Sequence, residues 1–416
     1  MGMAQMVLVL PILGGCQFDG AGPFGPCDHQ DVNHPEFTEA DSAGIRVLET
    51  ACALVDRDLG WTVEVEPDLQ IGGGEDPDTQ FSEIRGVAAL ADGGVAVVDL
   101  GTRAIRYFDD QGEFVHQIGR EGSGPGEFGI PRLVSTVQDD SLVVWDWRQI
   151  RFTVLSNRAS DPQLISMGGP PSFPLLHHAQ ALAGDQVLVK RVQLVDPAPR
   201  GDPTPRGEPM MRVGLNPQVV TFSWVDVTSG KMVDLVDFQI ELRVRAINIS
   251  TGTPYTTRDP FTREPHGTTS PSGAFIVDGR QYEILHFDTE GALERILRVD
   301  RQRRPVSDGD FDTVVEQYTG SPGWYPTFDG LLPVADSVAT FDEVQVDAAG
   351  WIWARIFEWD SRLPVRWLVF DPDGRAHGTV ELPSGLRVEQ IGEDFVLGTW
   401  RDDLRVEYVR RHRLER

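Results

Sequence analysis

From Ser82 to Phe128 the chain reads SEIRGVAALADGGVAVVDLGTRAIRYFDDQGEFVHQIGREGSGPGEF, and this stretch sets the architecture. GVAALADG, GVAVVDLG, AIRYFDDQG and FVHQIG are short apolar runs, each closed by Gly or an Asp-Gly type turn. Val, Ile, Tyr and Phe dominate them, which favours strand over helix. The runs are too short for helices, and no apolar spacing of 3.6 persists through them. Four strands joined by tight turns make one antiparallel meander. Both faces of such a small sheet are apolar, so it is stable only when stacked against further copies of itself.

Those copies follow. VAVVD, ending at Asp99, recurs as LVVWD, ending at Asp146, 47 positions later. Arg103 and Arg106 follow the first, Arg148 and Arg151 the second. An Asp at a strand end accepts the N–H groups of its turn, and a nearby guanidinium pairs with it, so these sets read as structural. The third unit is split by Pro197 to Pro217, a Pro- and Gly-dense insertion that excludes a central strand and reads as a long surface loop. A fourth unit spans 253–300 and a fifth begins at Ser337. Phe108-Asp109 with Gly112 returns as Phe287-Asp288 with Gly291 and as Phe370-Asp371 with Gly374. Between these two units lies a short helix, with Ser307 as its cap and Asp310 three residues on. The stretch 239–270 is short for a further unit, so the tally is six.

The sixth unit, from GLRVEQIGE to the C-terminus, has only three strands, whereas Ile45 to Glu66 holds surplus ones. Together they imply that an early strand completes the last sheet and closes a ring, which removes exposed edges. The expected fold is all-β: a six-bladed beta-propeller of four-stranded antiparallel blades, closed by N-terminal strands. The expected organisation is a signal segment at 1–16, a flexible Gly-, Pro- and Asp-rich tether at 17–43 and the propeller at 44–416.

The repeat resembles that of NHL-type propellers: Asp at the end of strand two, Arg beside an aromatic-Asp, then Gly and a Gly-rich loop ending in Phe. Over about 45 to 416 the chain is similar to six-bladed propeller lipoproteins of environmental bacteria. The resemblance implies binding of proteins, peptides or RNA. A net charge of −27, from 64 acidic and 37 basic residues, argues against RNA and anionic lipid. Leu13-Gly14-Gly15-Cys16 resembles a bacterial lipobox, which implies export and lipidation at Cys16. In an exported chain Cys27 and Cys52 are free to form a disulfide; a loop thiol and a small buried hydrophobe are the alternative.

Candidate sites follow from convergence at the ring's centre. Asp99, Asp146, Asp278 and Glu358 hold related positions, and converging carboxylates would hold Ca²⁺; satisfaction of each in its own turn is the alternative. His266, His286 and His377 lie in separate units and meet only if the ring gathers them. Tyr318, Trp324, Tyr325 and Phe328 crowd one Pro- and Gly-rich loop, either as rim packing or as a stacking surface for sugar or peptide. No HExxH, P-loop or G-x-S-x-G string is present. The expected role is a monomeric, non-catalytic envelope binding or scaffolding domain for a protein, peptide or glycan. A Ca²⁺-dependent, lactonase-like hydrolase or a lyase is the alternative.

Overall fold

The computed structural model describes residues 36–416 apart from 75, 138–140, 156–162, 167–175, 182–185, 195–210, 227–228, 230, 249–253, 319–334 and 361–362. Six sheets form the blades of a propeller. Blade 1 is Ile84–Ala89, Val95–Asp99, Ala104–Phe108 and Phe114–Ile118. Every residue of its two middle strands is buried. That explains the unbroken apolar runs, because a sheet covered on both faces has no solvent side to alternate with.

The first strands of the blades touch their neighbours in a closed circle around the channel. They are Ile84–Ala89, Pro131–Val137, Leu176–Ala181, His266–Ser270, Phe341–Val346 and Arg387–Ile391. Each junction between blades carries its own apolar core. Val98 and Tyr107 meet Val144 between blades 1 and 2, and Trp145 and Phe152 meet Val189 between blades 2 and 3. Phe222 meets Ile276, Phe275 meets Ile352, and Trp353 meets Val396 at the next three. Leu397 and Val409 meet Val97 at the seam between blades 6 and 1. Fully burying one such side chain contributes about 1.5–3 kcal/mol, so the closed stack is strongly preferred to a lone blade.

The ring is sealed by early residues, and the pairing corrects the expectation in part. Thr62–Val63 and Leu69–Ile71 both pair antiparallel with Glu407–Glu415 of blade 6. Ile45–Ala51 does not join that blade. It runs parallel to Leu293–Asp300 on the edge of blade 4, with Phe37–Ser42 outside it. Between these two attachments the chain crosses blade 5, where Thr379 exchanges backbone hydrogen bonds with Arg57 and Leu59 at 2.7 and 3.0 Å. Residues 37–71 thus form a strap around three consecutive blades before blade 1 begins. A parallel partner some 250 positions away leaves no local signal.

Blade 3 brings a second correction. The part of the Pro197–Pro217 insertion from Met211 onward is strand, within Met211–Asp226, and it pairs with Met232–Asn248. The first part lies outside the described residues. Pro217 sits at a register shift between Asn216 and Gln218, where a missing N–H is tolerated. Met211–Asn216 pairs only with Arg243–Asn248, so this hairpin extends past the blade, and Pro254–Arg258 adds to its other edge. The stretch 239–270 therefore prolongs blade 3 and opens blade 4 rather than forming another unit. Helix α1 (Asp308–Tyr318) is present as expected, with Ser307 N–H donating to the Asp310 carboxylate at 2.8 Å and Asp310 N–H to Ser307 Oγ at 3.3 Å.

Candidate functional site

The four carboxylates singled out in the sequence are each held by their own turn. Asp99 is wholly buried and accepts from the N–H groups of Ser82, Glu83 and Thr102, from the Thr102 hydroxyl and from Arg106 at 2.9 Å. Asp146 accepts four backbone N–H groups, from Gly129, Ile130, Arg148 and Gln149. Asp278 accepts from Arg280 and Gln281 N–H. Glu358 accepts from Asp360 N–H, and burial raises its carboxyl above the ordinary value. Asp99 and Asp146 end the second strands of their blades, Asp278 and Glu358 lie just past theirs, and the four are not brought together. Among the described residues no three His, Cys, Asp or Glu side chains are grouped to hold a metal ion.

The other candidates lie partly outside the described residues. Tyr318 is the last residue of α1, whereas Trp324, Tyr325 and Phe328 lie outside the described residues. Cys16 and Cys27 also lie outside them, and Cys52 is disulfide-bonded to a partner there. His286 is buried under Arg295, which donates to its Nδ1 at 3.0 Å. His377 pairs with Asp371 at 2.9 Å on the last strand of blade 5. Only His266 reaches the channel.

The channel is where charge from different blades converges. All six inner strands run in the same direction, because each blade returns the chain to the same face before the next begins. Their first residues therefore surround one mouth. That mouth receives Arg85 from blade 1, Arg132 from blade 2, His266 from blade 4, Asp342 and Glu343 from blade 5, and Arg387 and Glu389 from blade 6. The prolonged hairpin of blade 3 and the segment with α1 rise from the same face.

Close approach of the inner strands sets this geometry. Gly86 has φ +138°, and a Cβ there would lie 2.5 Å from Leu133 Cβ, so blades 1 and 2 meet beside Arg85 and Arg132. On the other flank Gln390 accepts Ala89 N–H at 2.9 Å, and Glu407 accepts Ile84 N–H at 2.6 Å, fixing blade 6 to blade 1.

Two arcs with different electrostatics result. On the blade 5 side, Arg355 forks onto Asp342 at 2.6 and 2.9 Å and pairs with Glu343 at 3.0 Å. Burial opposes the Arg355 charge, but Glu343 and Asp342 outweigh it and raise its pKa. His266 Nδ1 accepts Val344 N–H at 3.2 Å, which leaves Nε2 as the donor. Burial, with Lys190 and Arg355 beside it, depresses His266 to about 3, so the ring is neutral.

The arc across blades 6, 1 and 2 carries Arg387, Arg85 and Arg132. Arg387 lies 3.3 Å from Glu389, and Arg85 2.5 Å from Glu83. Burial lowers the Arg132 pKa, and the Arg387 and Arg85 charges lower it further against the pull of Glu389. Burial raises the Glu389 carboxyl, countered by Arg387 and Arg132. The sequence carried a faint sign of this mouth. Aligned at their first strands, five units begin IRGV, PRLV, PHGT, FDEV and LRVE, with an ionisable residue second in each. One residue per unit is too sparse to stand out until the strands are superposed.

The family model DUF5128, a 6-bladed beta-propeller, matches residues 78–141. No match is found among curated proteins. Among solved structures, the chain is similar to a protein of Bacteroides fragilis described as exported, at 10% identity and TM-score 0.46, covering 89% of this chain and 99% of that one. A DUF4221 family member from Bacteroides vulgatus gives 10% identity and TM-score 0.49, with 85% and 99% covered. A streptogramin B lyase gives 12% identity and TM-score 0.38, with 85% and 97% covered. Likeness at that level passes no ligand or chemistry to this chain. What stands is the fold, a six-bladed beta-propeller with one charged channel mouth.

Proposed function

We propose that this propeller is a non-catalytic binding domain of the bacterial cell envelope, and that it takes a peptide, protein or glycan at the channel mouth. The observation that supports this most is the convergence of Arg85, Arg132, His266, Glu343, Arg387 and Glu389 from five blades. Charged groups gathered from separate blades cost stability to bring together, and such convergence on a propeller's axis suits a binding site. Binding is favoured over hydrolysis by how these groups are engaged. His266 accepts from a backbone N–H, and Asp342 and Glu343 are taken by Arg355, so these three are engaged structurally rather than poised as an acid–base pair. Calcium-dependent hydrolysis finds no support among the described residues, where no metal-holding group of acidic or His side chains occurs.

Export and lipidation at Cys16 belong to the same reading, supported by the short apolar run Val7 to Leu13 and the lipobox-like LGGC that ends at Cys16. No helix among the described residues is long and apolar enough to cross a membrane. Substituting Cys16 with Ser should release the protein from membranes; unchanged fractionation would refute the anchor. The binding role is tested by a thermal-shift screen of the purified domain against short peptides and oligosaccharides, repeated on Glu389→Gln. Ligands that stabilise the native domain and lose that effect in the variant support the channel. Ligands that bind both proteins equally point elsewhere.

A further inference from the structure

We infer that the arginine arc of the mouth, Arg85, Arg132 and Arg387, grips the oxyanion end of an acidic ligand, a carboxylate or a phosphate. This rests on the channel reading above and names the ligand class for it.

Three features carry the inference. The first is placement. The three arginines come from consecutive blades 6, 1 and 2, each at or next to the start of its inner strand. The Gly86 contact on one side and the Gln390 and Glu407 bonds on the other hold those strands together. The second is accessibility. The Arg387 side chain is half exposed at 53% and that of Arg85 is 33% exposed, so both reach solvent rather than vanishing into a core. The third is contrast with the rest of the chain. At −27 overall, a protein gains nothing in solubility from crowding three guanidiniums, and each depresses its neighbour's hold on a proton. Across the channel the acids of blade 5 are engaged by Arg355, so of the acids at the mouth Glu389 and Glu83 alone are set against the three arginines, and the arc keeps a net positive charge.

The chemistry suits an oxyanion. A guanidinium presents a planar fork that matches carboxylate and phosphate bidentately. The neutral His266, on the inner strand of blade 4, adds no charge of its own beside the arc. The acidic remainder of the surface disfavours large polyanions, which limits the arc to the end of a small or singly anchored ligand.

The test uses the whole domain at low salt with citrate and inorganic phosphate as probes, sodium chloride of matched ionic strength as control, and calorimetry with thermal shift as readouts. Citrate or phosphate should bind and raise the melting temperature, and the tighter of the two assigns carboxylate or phosphate. The Arg132→Gln/Arg387→Gln double variant should lose about tenfold or more in affinity. Arg387→Lys, which keeps the charge without the fork, should lose less and guards against misfolding of the double variant. Arg375→Gln, in the turn between the outer strands of blade 5, should bind like the parent. Absence of binding by the parent to either anion, or equal loss in Arg375→Gln, would overturn the inference. If a neutral ligand from the screen still depends on Glu389, the oxyanion falls and the channel stands. If every ligand ignores all mouth variants, both fall.

Discussion

Two sets of buried charge occupy the same face of this propeller, and they differ in who satisfies them. Asp99 with Arg106, and Asp146 with Arg151, lie at the rim and take their hydrogen bonds from within a single blade and the loop leading into it. Arg106 reaches the carbonyls of Asp78 and Gln80 as well as Asp99, and Arg151 those of Ser123, Gly124 and Glu127. At the channel mouth, ion pairs again form within blades, Arg355 with Asp342 and Glu343 and Arg387 with Glu389, but the charges are also set by side chains of other blades. Glu389 of blade 6 balances Arg132 of blade 2, and His266 of blade 4 is neutral in part because of Arg355 of blade 5. A turn held in this way is finished when its blade folds. A mouth assembled from five blades exists only once the ring is closed.

The largest effect should come from breaking one of the rim turns. Asp99→Ala leaves Arg106, only 2% exposed, without its carboxylate and strips several N–H groups of their acceptor. A loss of about 3–5 kcal/mol in urea unfolding is expected. Anion affinity of the molecules that remain folded should not change. A cost under about 1 kcal/mol would erase the distinction between the two sets.

Next is closure, on which the mouth depends. Ile71 is 2% exposed at the seam of blades 6 and 1, and Ile71→Ala should cost about 2–4 kcal/mol. Anion binding should weaken in proportion to unfolding, as followed by calorimetry across temperature.

Arg132→Gln should do the reverse of Asp99→Ala. It removes a charge that burial and two arginines already disfavour, so stability should move by about 1 kcal/mol or less while anion binding falls. Large destabilisation with intact binding would show that Arg132 belongs with the architectural charges.

The smallest effect concerns pH. His266 is held at about 3 and His286 at about 4, the latter by burial with Arg295 beside it, against an ordinary 6.5. Because both folded values are depressed, the unfolded chain takes up protons first as pH falls. Their contribution is fully present above about pH 6.5 and is lost progressively toward pH 4 and below. In the His266→Gln/His286→Gln variant, stability should fall less steeply from pH 6.5 to 4.5 than in the parent. Parallel curves would mean that neither imidazole is held neutral.

Much of this was legible in the sequence, for reasons of range. The Asp99 and Asp146 sets repeat with their arginines, and their partners lie nearby in the chain, so a structural role followed from residue type and spacing. Blade number and sealing by early residues followed from counting strands, since an unfinished meander needs a partner. Two things escaped. The strap on blade 4 joins Ile45–Ala51 to Leu293–Asp300 by parallel pairing, which no local pattern encodes. The mouth is one residue from each of several units, so Arg85, Arg132 and Arg387 read singly as solvated strand residues. The carboxylates that did stand out, Asp278 and Glu358 included, are conspicuous because turns require them.

The most direct test follows the arginine side chains themselves. Nitrogen-15 spectra of the guanidinium Nε–H groups, recorded during a citrate titration, should show the Arg85, Arg132 and Arg387 signals moving together while Arg106 and Arg151 stay fixed. Movement of Arg106 and Arg151, or equal drift of exposed arginines such as Arg375 with the mouth unmoved, would contradict the account.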